Sequence, residues 1–445
     1  MSTLKVANIH FEATGTNRVE YVANNINFRT GGGNFTISVG GTESLNVNAS
    51  SVMISGANIL ASVAAAATSA NLTSAWGTAN AALANTNATF AGNLTLGINQ
   101  TLFVGNATVN TAISAGSITT NGVALDIGRN RIINGAMEID QRNAGALLSA
   151  PQNLYTVDRW STYYNGGGVY SAQQSTTVPS GFINSLKLTV TTADSSIAAG
   201  DYYFLNYAVE GTNCTDLDYG LSTAKTTTLS FWVRSSVTGT HSGGVQNSAT
   251  TRSYVFTYTI NVADTWEYKS ITIQGDSTGT WLTTTGIGYQ IRLNLGTGST
   301  YQASSGSWTA TNAFAATGAA QWIATNGATF YITGVQLEVG SVATPFERRQ
   351  YGQELALCQR YYEIVYCWFA QQECSNGNIF ATTLPWLVQK RASPTVTYVS
   401  GTLSSCSMNV YVSDAHSGSF YLLNNSGGNN NIALQNGLFK VSAEL

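Results

Sequence analysis

The feature that most constrains this chain is a stretch of 82 residues, 44–125, that contains no Asp, Glu, Lys, Arg or His. A soluble single-chain domain carries charge on roughly a quarter of its residues. This stretch has none, and it also has too few large apolar side chains for a core of its own. We therefore predict that it gains its stability from neighbouring copies of the same chain, as rods and stalks do.

Charge is scarce along the rest of the chain as well, which narrows the possible partners. Only 9% of the 445 residues are charged, and the net charge is −3. The only adjacent basic pairs are Arg348-Arg349 and Lys390-Arg391, so we expect no nucleic-acid partner. The most apolar run, residues 59–70, is shorter than the ~20 residues of a membrane span. We expect no membrane insertion.

The start of the chain and its cysteines indicate the compartment of synthesis. No apolar run of a secretory signal follows Met1. The five cysteines are odd in number and form no C-x-x-C pair, which favours free thiols in a reducing cytosol. We expect the protein to be made in the cytoplasm.

The first 126 residues divide into three predicted segments. Residues 1–56 alternate apolar and polar side chains, as in 5–11 and 34–39, and this pattern predicts an N-terminal β segment. The charged residues of this segment would suit docking onto another protein; the alternative is that they lie in solvated loops. Residues 57–91 are Ala-rich and predict a short coiled-coil helix, with a solvent-facing helix as the alternative. Residues 92–126 predict an intertwined β stalk, with strands at 93–97, 102–110 and 113–122. The helical seam comprises Leu72, Trp76, Ala79, Leu83, Thr86 and Phe90.

The composition changes near residue 127, where charged residues return, and two further domains are predicted. Residues 127–350 contain many short strand-like runs separated by turn residues, which is typical of an antiparallel β-sandwich or jelly roll. The runs are 185–190, 202–209, 228–234, 253–262, 267–274, 289–295 and 329–339. Residues 351–445 open with a helical run, 353–362, and continue with strands such as 394–400 and 408–412 as a small C-terminal β tip domain.

Several motifs in this part of the chain resemble those of bacteriophage tail fibre proteins. They are NRIINGAMEIDQRN at 130–143, Asp158-Arg159-Trp160, FYITGVQLE at 330–338, and 354–363 with its Cys-Gln-Arg-Tyr-Tyr core. The resemblance covers roughly residues 127–363. It implies a jelly-roll module similar to carbohydrate-binding ones and a homotrimeric fibre. The expected fold class is therefore mainly β: an elongated homotrimer with an N-terminal β segment, coiled coil, β stalk, jelly-roll sandwich and C-terminal β domain.

Alternation within two predicted strands suggests a binding face. Leu229, Phe231 and Val233 would point to the core while Trp232 and Arg234 point away, and the strand at 289–295 would likewise turn three polar residues outward. One sheet face would then present an aromatic plate with planar donors, the mixture that sugar recognition needs. Packing on a neighbouring subunit or on the following loop is the alternative. The polar residues of the second strand are Gln290, Arg292 and Asn294.

Two loop regions supply further candidates for glycan contact. Residues 296–327 carry Trp308 and Trp322 among small residues, and a loop of this length is often functional; the alternative, that its aromatics pin the loop down, is favoured. The turns near Asp414 and His416, and at 424–431, would form the far tip. Polar hairpin turns also occur without any function.

The sequence gives little support for catalysis or for a bound metal. The pairs Asp216/Asp218 and Asp264/Glu267 are close only in sequence, and residues of this kind in turns usually hydrogen-bond the backbone. The three histidines lie in different segments. Similar jelly rolls often hold calcium, but Gly334 stands where an acidic residue is common, so we predict no metal, no cofactor and no enzymatic activity.

The resulting hypothesis is a virion tail fibre. Its N-terminus would attach to phage tail or baseplate proteins, and its C-terminal β domains would bind host surface glycan, lipopolysaccharide or capsule. Two alternatives stay open: a polysaccharide depolymerase tailspike, and a purely structural virion appendage.

Overall fold

The computed structural model describes residues 128–445, except the side chains of 372 and 412, and before them only the backbone of ten short strands between residues 18 and 124. The chain divides into two compact units, Met1–Thr95 and Leu96–Leu445. The described part is mainly β, with antiparallel sheets and one α-helix.

The first unit contains two small antiparallel sheets. One pairs β1 with β2, and the other has the order β3-β4-β5-β6. The predicted strand at 34–39 is confirmed as β3, whereas the predicted helix does not begin at 57, because residues 57 and 58 pair with Ile54 and Met53 as β6. The predicted strands at 5–11 and 93–97 and the coiled-coil seam lie outside the described residues. The strands are β1 Arg18–Val22, β2 Asn25–Arg29, β3 Phe35–Val39, β4 Thr42–Val47, β5 Val52–Ile54 and β6 Ala57–Asn58.

The second unit begins with a four-stranded antiparallel sheet in the order β10-β9-β8-β7. These strands confirm in part the alternation expected for residues 102–110 and 113–122. They are β7 Thr101–Gly105, β8 Asn110–Ser114, β9 Ser117–Thr120 and β10 Val123–Ala124.

The main body of the second unit is a β-sandwich of two antiparallel sheets. The six-stranded sheet has the order β11-β14-β15-β25-β17-β20, and the seven-stranded sheet has the order β12-β13-β16-β21-β18-β19-β23. The strands of these two sheets are β11 Leu148–Ser149, β12 Leu154–Tyr155, β13 Trp160–Asn165, β14 Val169–Ser175, β15 Ser185–Thr192, β16 Tyr202–Glu210, β17 Thr227–Ser235, β18 Gly239–Gln246, β19 Ser253–Ile260, β20 Glu267–Ile273, β21 Ile287–Thr297, β23 Trp308–Thr309 and β25 Thr329–Val339. Two further short strands, β22 Gln302–Ala303 and β24 Ala315–Ala316, form a separate parallel pair.

The core of the sandwich follows from period-two alternation in these strands. All seven runs predicted between residues 185 and 339 are strands. Leu229, Phe231 and Val233 of β17 are fully buried, as are Tyr289 and its alternate neighbours on β21. Because alternate side chains of both sheets meet between them, each sheet also has an outer face, and the two outer faces point away from each other.

The C-terminal region contains the helix and a second, smaller core. Helix α1, Tyr351–Gln359, lies within three residues of the predicted run at both ends. Two three-stranded sheets, β26-β31-β28 and β27-β30-β29, enclose a core that includes Phe420, Leu434 and Phe439. The strands are β26 Tyr362–Cys374, β27 Ile379–Pro385, β28 Thr395–Ser404, β29 Cys406–Ser413, β30 Ser417–Asn424 and β31 Asn430–Ser442.

Paired charges join the C-terminal region to the sandwich. Glu210, at the end of β16, accepts hydrogen bonds from Arg360 at 2.7 and 3.0 Å and from the Tyr361 hydroxyl at 2.7 Å. Arg159 is fully buried, forms an ion pair with Glu444, and lies with its guanidinium carbon 3.6 Å from the Tyr361 ring centroid. We call Arg159, Glu210, Arg360, Tyr361 and Glu444 the junction.

Two expectations about the whole chain can be compared with the described residues. All five cysteines lie there and are free thiols, as predicted. No helix in this part of the chain is long and apolar enough to cross a membrane.

Candidate functional site on the seven-stranded sheet

The predicted single binding face is divided between two sheets. Trp232 and Arg234 lie on β17 of the six-stranded sheet, whereas Gln290, Arg292 and Asn294 lie on β21 of the seven-stranded sheet. Alternation correctly assigned each residue to the side away from the core, but it carries no information on which sheet a strand joins. The expectation that these five residues share one face is therefore wrong.

On the six-stranded sheet, the outward charge is neutralised by the chain itself. Arg234 donates from Nε to the Asp264 carbonyl at 2.7 Å, and its Nη2 lies 3.2 Å from Asp264 Oδ1. Its guanidinium carbon lies 4.9 Å from the Tyr331 ring centroid, and Trp232 packs on Tyr268 at 5.4 Å. Trp232 and Arg234 are thus both held by contacts with other residues of the sandwich.

The outer face of the seven-stranded sheet combines aromatic rings with planar polar groups. Strand pairing places Tyr163 opposite Phe204, and Asn206 opposite Arg292. Tyr163 stacks on Phe204 with centroids 5.3 Å apart and an interplanar angle of 19°. We call Tyr163, Phe204, Asn206, Gln290 and Arg292 the Arg292 strip. Tyr163 and Arg292 are half-buried, and the other three are buried.

A loop covers the side of this face that adjoins β18. A Cβ atom on Gly244 would lie only 2.6 Å from Phe314 Cα, so the glycine allows the loop to lie directly on the sheet. Gln246 donates to Asn312 Oδ1 at 2.8 Å and to the Ala313 carbonyl at 3.3 Å. The loop thus places the Phe314 ring beside the strip, 4.8 Å from Phe204.

Arg292 lies among these rings, and no carboxylate within residues 128–445 pairs with it. Its guanidinium carbon is 4.7 Å from the Phe204 centroid and 5.5 Å from the Phe314 centroid. Nη2 donates to Gln290 Oε1 at 3.1 Å, and Nε is buried without a hydrogen-bond partner among the described residues. Burial lowers the pKa of Arg292 to about 10. The side chain remains a cation at neutral pH, so the strip favours a negatively charged group.

Asn294, although on the same face, is used by the fold. It is 1% exposed, and its Oδ1 accepts hydrogen bonds from the Gly296 amide at 3.1 Å and from the Thr297 hydroxyl. Its Nδ2 donates to Ser242 Oγ at 3.2 Å. These bonds fix the end of β21 and leave little of Asn294 for a ligand.

The two tryptophans predicted as glycan contacts hold the structure together. Trp322 is 0% exposed in the sandwich core, with its ring edge-on to Tyr170 at 5.9 Å, so it cannot reach a surface ligand. Trp308 is half-buried, donates from Nε1 to the Gln274 carbonyl at 2.8 Å and packs on Trp281 at 5.4 Å. The alternative expectation, that the loop aromatics fix the loop, describes both.

Asp414 and His416 lie in the turn between β29 and β30. The Asp414 carboxylate accepts hydrogen bonds from the backbone amides of His416 at 2.7 Å and Ser417 at 2.8 Å. These two bonds hold the pKa of Asp414 below its usual value. The carboxylate shapes the turn, as Asp commonly does. Both side chains are exposed, and their predicted glycan contact stays a prediction.

The acidic residues weighed for catalysis take part in structural bonds. Asp216 pairs with Arg131 at 2.6 Å and Asp264 with Arg234 at 3.2 Å. Glu267 accepts from the Asn261 backbone amide at 2.8 Å, and these bonds, with others from Val262 and Lys269, outweigh burial and hold its pKa at about 2. The absence of enzymatic activity stays a prediction.

At the position where similar jelly rolls often have an acidic residue, this chain has Gly334, and the backbone conformation and close packing there favour a glycine. Gly334 has a φ of +62°, and a Cβ atom there would lie 2.6 Å from Phe182 Cζ. Glu138, near the start of the sandwich, is an acidic residue that a calcium site of this kind would use, and its pKa is raised mainly by burial. Within residues 128–445, no group of three His, Cys, Asp or Glu side chains is arranged to bind a metal ion.

Sequence reasoning missed three of the five residues of the Arg292 strip. Tyr163, Phe204 and Asn206 were not proposed, although the alternation of β16 in YYFLNYAVE would have placed Phe204 and Asn206 on one face. Phe314 lies in the 296–327 loop, for which only Trp308 and Trp322 were proposed as contacts. Pairing between β13, β16 and β21, which brings these residues together, is not encoded in any local pattern.

Comparisons with known proteins give only distant structural matches. No protein-family model matches the chain, and a search of curated proteins finds no match. The enzymatically active domain of tailspike protein 4 from bacteriophage CBA120 matches with a TM-score of 0.28 and 14% identity over 47% of this chain and 21% of that one.

Two carbohydrate-binding modules match at a similar level. The family 11 module from Clostridium thermocellum, in complex with a mixed-linked tetrasaccharide, matches with a TM-score of 0.23 and 13% sequence identity. The match covers 44% of this chain and 98% of that module. The module TmCBM61, in complex with β-1,4-galactotriose, matches with a TM-score of 0.24 and 9% sequence identity. The match covers 48% of this chain and 99% of that module. At these values, none of the three matches assigns a function to this chain.

Proposed function

We propose that this chain is a subunit of a virion tail fibre that binds a host surface carbohydrate with the Arg292 strip. The observation that carries the proposal is the pairing of an aromatic plate, Tyr163 stacked on Phe204 at 5.3 Å, with the planar side chains of Asn206, Gln290 and Arg292 on one outer face. A pyranose ring has an apolar C–H face and a rim of hydroxyls, which these two kinds of group complement.

The charge-free stretch at 44–125 supports self-association into a stalk. The resemblance of residues 127–363 to tail fibre proteins implies that three copies of the chain assemble. The sheet β27-β30-β29 is also free of charged residues and exposes Ile379 and Tyr411, which are 59% and 74% accessible. A surface without charge can meet an identical surface without repulsion between like charges.

The remaining parts of the proposal rest on the same resemblance. The N-terminal β segment would attach to phage tail or baseplate proteins, and the assembled fibre would be part of the virion. Each glycan contact would be weak, and several copies on one fibre would raise the overall affinity by avidity.

Binding of the full-length protein to a glycan array that includes lipopolysaccharide and capsular fragments tests the proposal. We expect binding by the wild type and a loss of about tenfold in Tyr163→Ala, because one aromatic contact contributes about 0.5–1.5 kcal/mol beyond its buried area. Tyr268→Ala is the matched control, because Tyr268 packs on Trp232 on the outer face of the other sheet. Absence of binding to any glycan, or an equal loss in both variants, would contradict the proposal.

A further inference from the structure

Arg292 differs from the other arginines of the described residues in how its charge is balanced. Arg234 and Arg252, for example, form ion pairs with Asp264 and Asp276. Other arginines without a carboxylate within 4 Å donate to backbone carbonyls instead, as Arg391 does to those of Ala443, Thr285 and Glu444. The single acceptor of Arg292 in this part of the chain is the side-chain amide of Gln290.

The geometry around Arg292 leaves one edge of its guanidinium for a ligand. Phe204 and Phe314 pack against the group, and Nε is buried. Nη1 makes no hydrogen bond within the described residues, and it is not among their buried unpartnered atoms. Nη1 is therefore accessible, and Nη2 has a second hydrogen beyond the one that it gives to Gln290, so the two terminal nitrogens offer a fork of donors. Such a fork matches the two oxygens of a carboxylate.

We propose that the Arg292 strip binds an acidic carbohydrate, with the sugar carboxylate held by Nη1 and Nη2 of Arg292. This inference rests on the proposed function and names the class of its ligand. In this proposal the sugar ring packs on Tyr163, which lies opposite Phe204 on the neighbouring strand. Asn206 lies opposite Arg292 in the register, and its Nδ2 donates to Ser161 Oγ at 3.3 Å.

The aromatic neighbours explain why the position carries arginine and not lysine. A planar guanidinium stacks on rings and keeps its donors in a fixed plane, whereas an ammonium group is a strongly hydrated point charge. Stacking by Phe204 and Phe314 holds the fork in place before the ligand arrives, which lowers the entropy lost on binding. A carboxylate supplies the negative charge that the chain itself does not.

An array of matched glycan pairs tests the inference with the full-length protein. Each pair contains an oligosaccharide bearing uronic or sialic acid and the same oligosaccharide after reduction of its carboxyl group. We expect the acidic members to bind about ten- to a hundredfold more strongly, as for a hydrogen bond to a charged group. Binding to neutral members alone, or equally to both, would overturn the inference and leave glycan binding intact, and no binding to any member would contradict both.

Variants show whether Arg292 carries the preference. Arg292→Gln is expected to lose the preference for acidic members, and Arg292→Lys to retain only part of it, since the charge stays and the fork is lost. Arg234→Gln is the control, because Arg234 also stacks on a ring but is paired with Asp264. Circular dichroism and thermal unfolding confirm that each variant is folded. An acidic preference that survives in folded Arg292→Gln would refute the assignment.

Discussion

The junction and the Arg292 strip both involve the seven-stranded sheet, since Glu210 ends β16 and Arg292 lies on β21. Each contains an arginine, the fully buried Arg159 in one and the half-buried Arg292 in the other, but they differ in how the charge is balanced. In the junction, Arg159 pairs with Glu444, and Arg360 pairs with Glu210 at 2.7 Å. In the strip, the one hydrogen-bond acceptor that the described part of the chain offers Arg292 is the neutral amide of Gln290, at 3.1 Å. The arginines of the junction are thus paired with carboxylates, whereas Arg292 has no carboxylate partner among the described residues.

This difference separates a structural use of buried charge from a binding use. Removing one partner of a buried ion pair leaves a charge that the folded chain cannot solvate, so the junction must be destabilised by such a change. Removing Arg292 leaves no orphaned carboxylate, so the fold should tolerate the change while a ligand loses its contact. Three predictions test this contrast, from the largest expected effect to the smallest.

Replacing Arg159 should give the largest loss of stability. Arg159→Met removes the ion pair with Glu444, the hydrogen bond from Nη2 to the Ala208 carbonyl at 2.6 Å, and the stacking on Tyr361. We expect the free energy of unfolding, measured by chemical denaturation, to fall by about 3–5 kcal/mol.

A double variant identifies the source of that loss. Glu444 also accepts a hydrogen bond from Arg142 at 2.6 Å, so Arg159→Met leaves it with one of its two cations. Because both changes act on the same ion pair, the loss in Arg159→Met/Glu444→Gln should be smaller than the sum of the two single changes. A loss below about 1 kcal/mol in Arg159→Met would show that the junction does not depend on this pair.

The pH dependence of stability should show a second effect near the junction, at Asp158. Burial raises the pKa of Asp158 to about 7, although Gln141 donates a hydrogen bond to it and Arg142 lies 3.7 Å away. The folded state therefore binds this proton more tightly than the unfolded chain. The stabilisation is complete below the ordinary pKa of about 3.9 and is lost as the pH rises through about 7.

The size of this effect is measurable against a matched variant. As the pH rises from 4 to 8, we expect the contribution of Asp158 to the free energy of unfolding to fall by about 4 kcal/mol, at about 1.4 kcal/mol per unit of pKa difference. Denaturant titrations give the free energy of unfolding of the wild type and of Asp158→Asn at both pH values. The change between the two pH values in the wild type, minus the same change in Asp158→Asn, is the contribution of Asp158. Identical pH profiles for the two proteins would be incompatible with a raised pKa.

The smallest effect on stability should come from Arg292 itself. Arg292→Met keeps the apolar contacts with Phe204 and Phe314 and removes a half-buried charge without an acidic partner, so the free energy of unfolding should stay within about 1 kcal/mol of the wild type or rise. Arg234→Met, which breaks a partly exposed pair with Asp264, should also cost about 0–1 kcal/mol. A loss above about 3 kcal/mol in Arg292→Met would mark Arg292 as a structural residue.

The sequence was informative about strands and about which side of each strand faces the core. Period-two alternation identified β17, β21 and β25 and placed Phe231 and Ile291 inside. It missed β18, Gly239–Gln246, because a run with three glycines lacks the apolar signal of a strand. That strand needs Gly244 so that the loop can pack on it.

The composition of the site was less predictable, because it depends on pairing between distant strands. Arg292 and Gln290 were proposed from alternation, but their partners Tyr163 and Phe204 come from strands that are more than eighty residues away. Trp322 was proposed as a contact because aromatic residues in a long loop can serve either recognition or packing. Only the burial of its ring between Tyr170 and Phe330 decides for packing.

Photo-crosslinking tests most directly whether the Arg292 strip is the carbohydrate-binding surface. A diazirine-bearing form of an acidic glycan selected on the array would be irradiated with the full-length protein, and the adducts located by mass spectrometry. We predict adducts in Trp160–Asn165, Tyr202–Glu210 and Ile287–Thr297, the strands that carry the strip. Adducts confined to Thr227–Ser235 and Glu267–Ile273 of the other sheet, or to the turn at Asp414, would contradict this assignment.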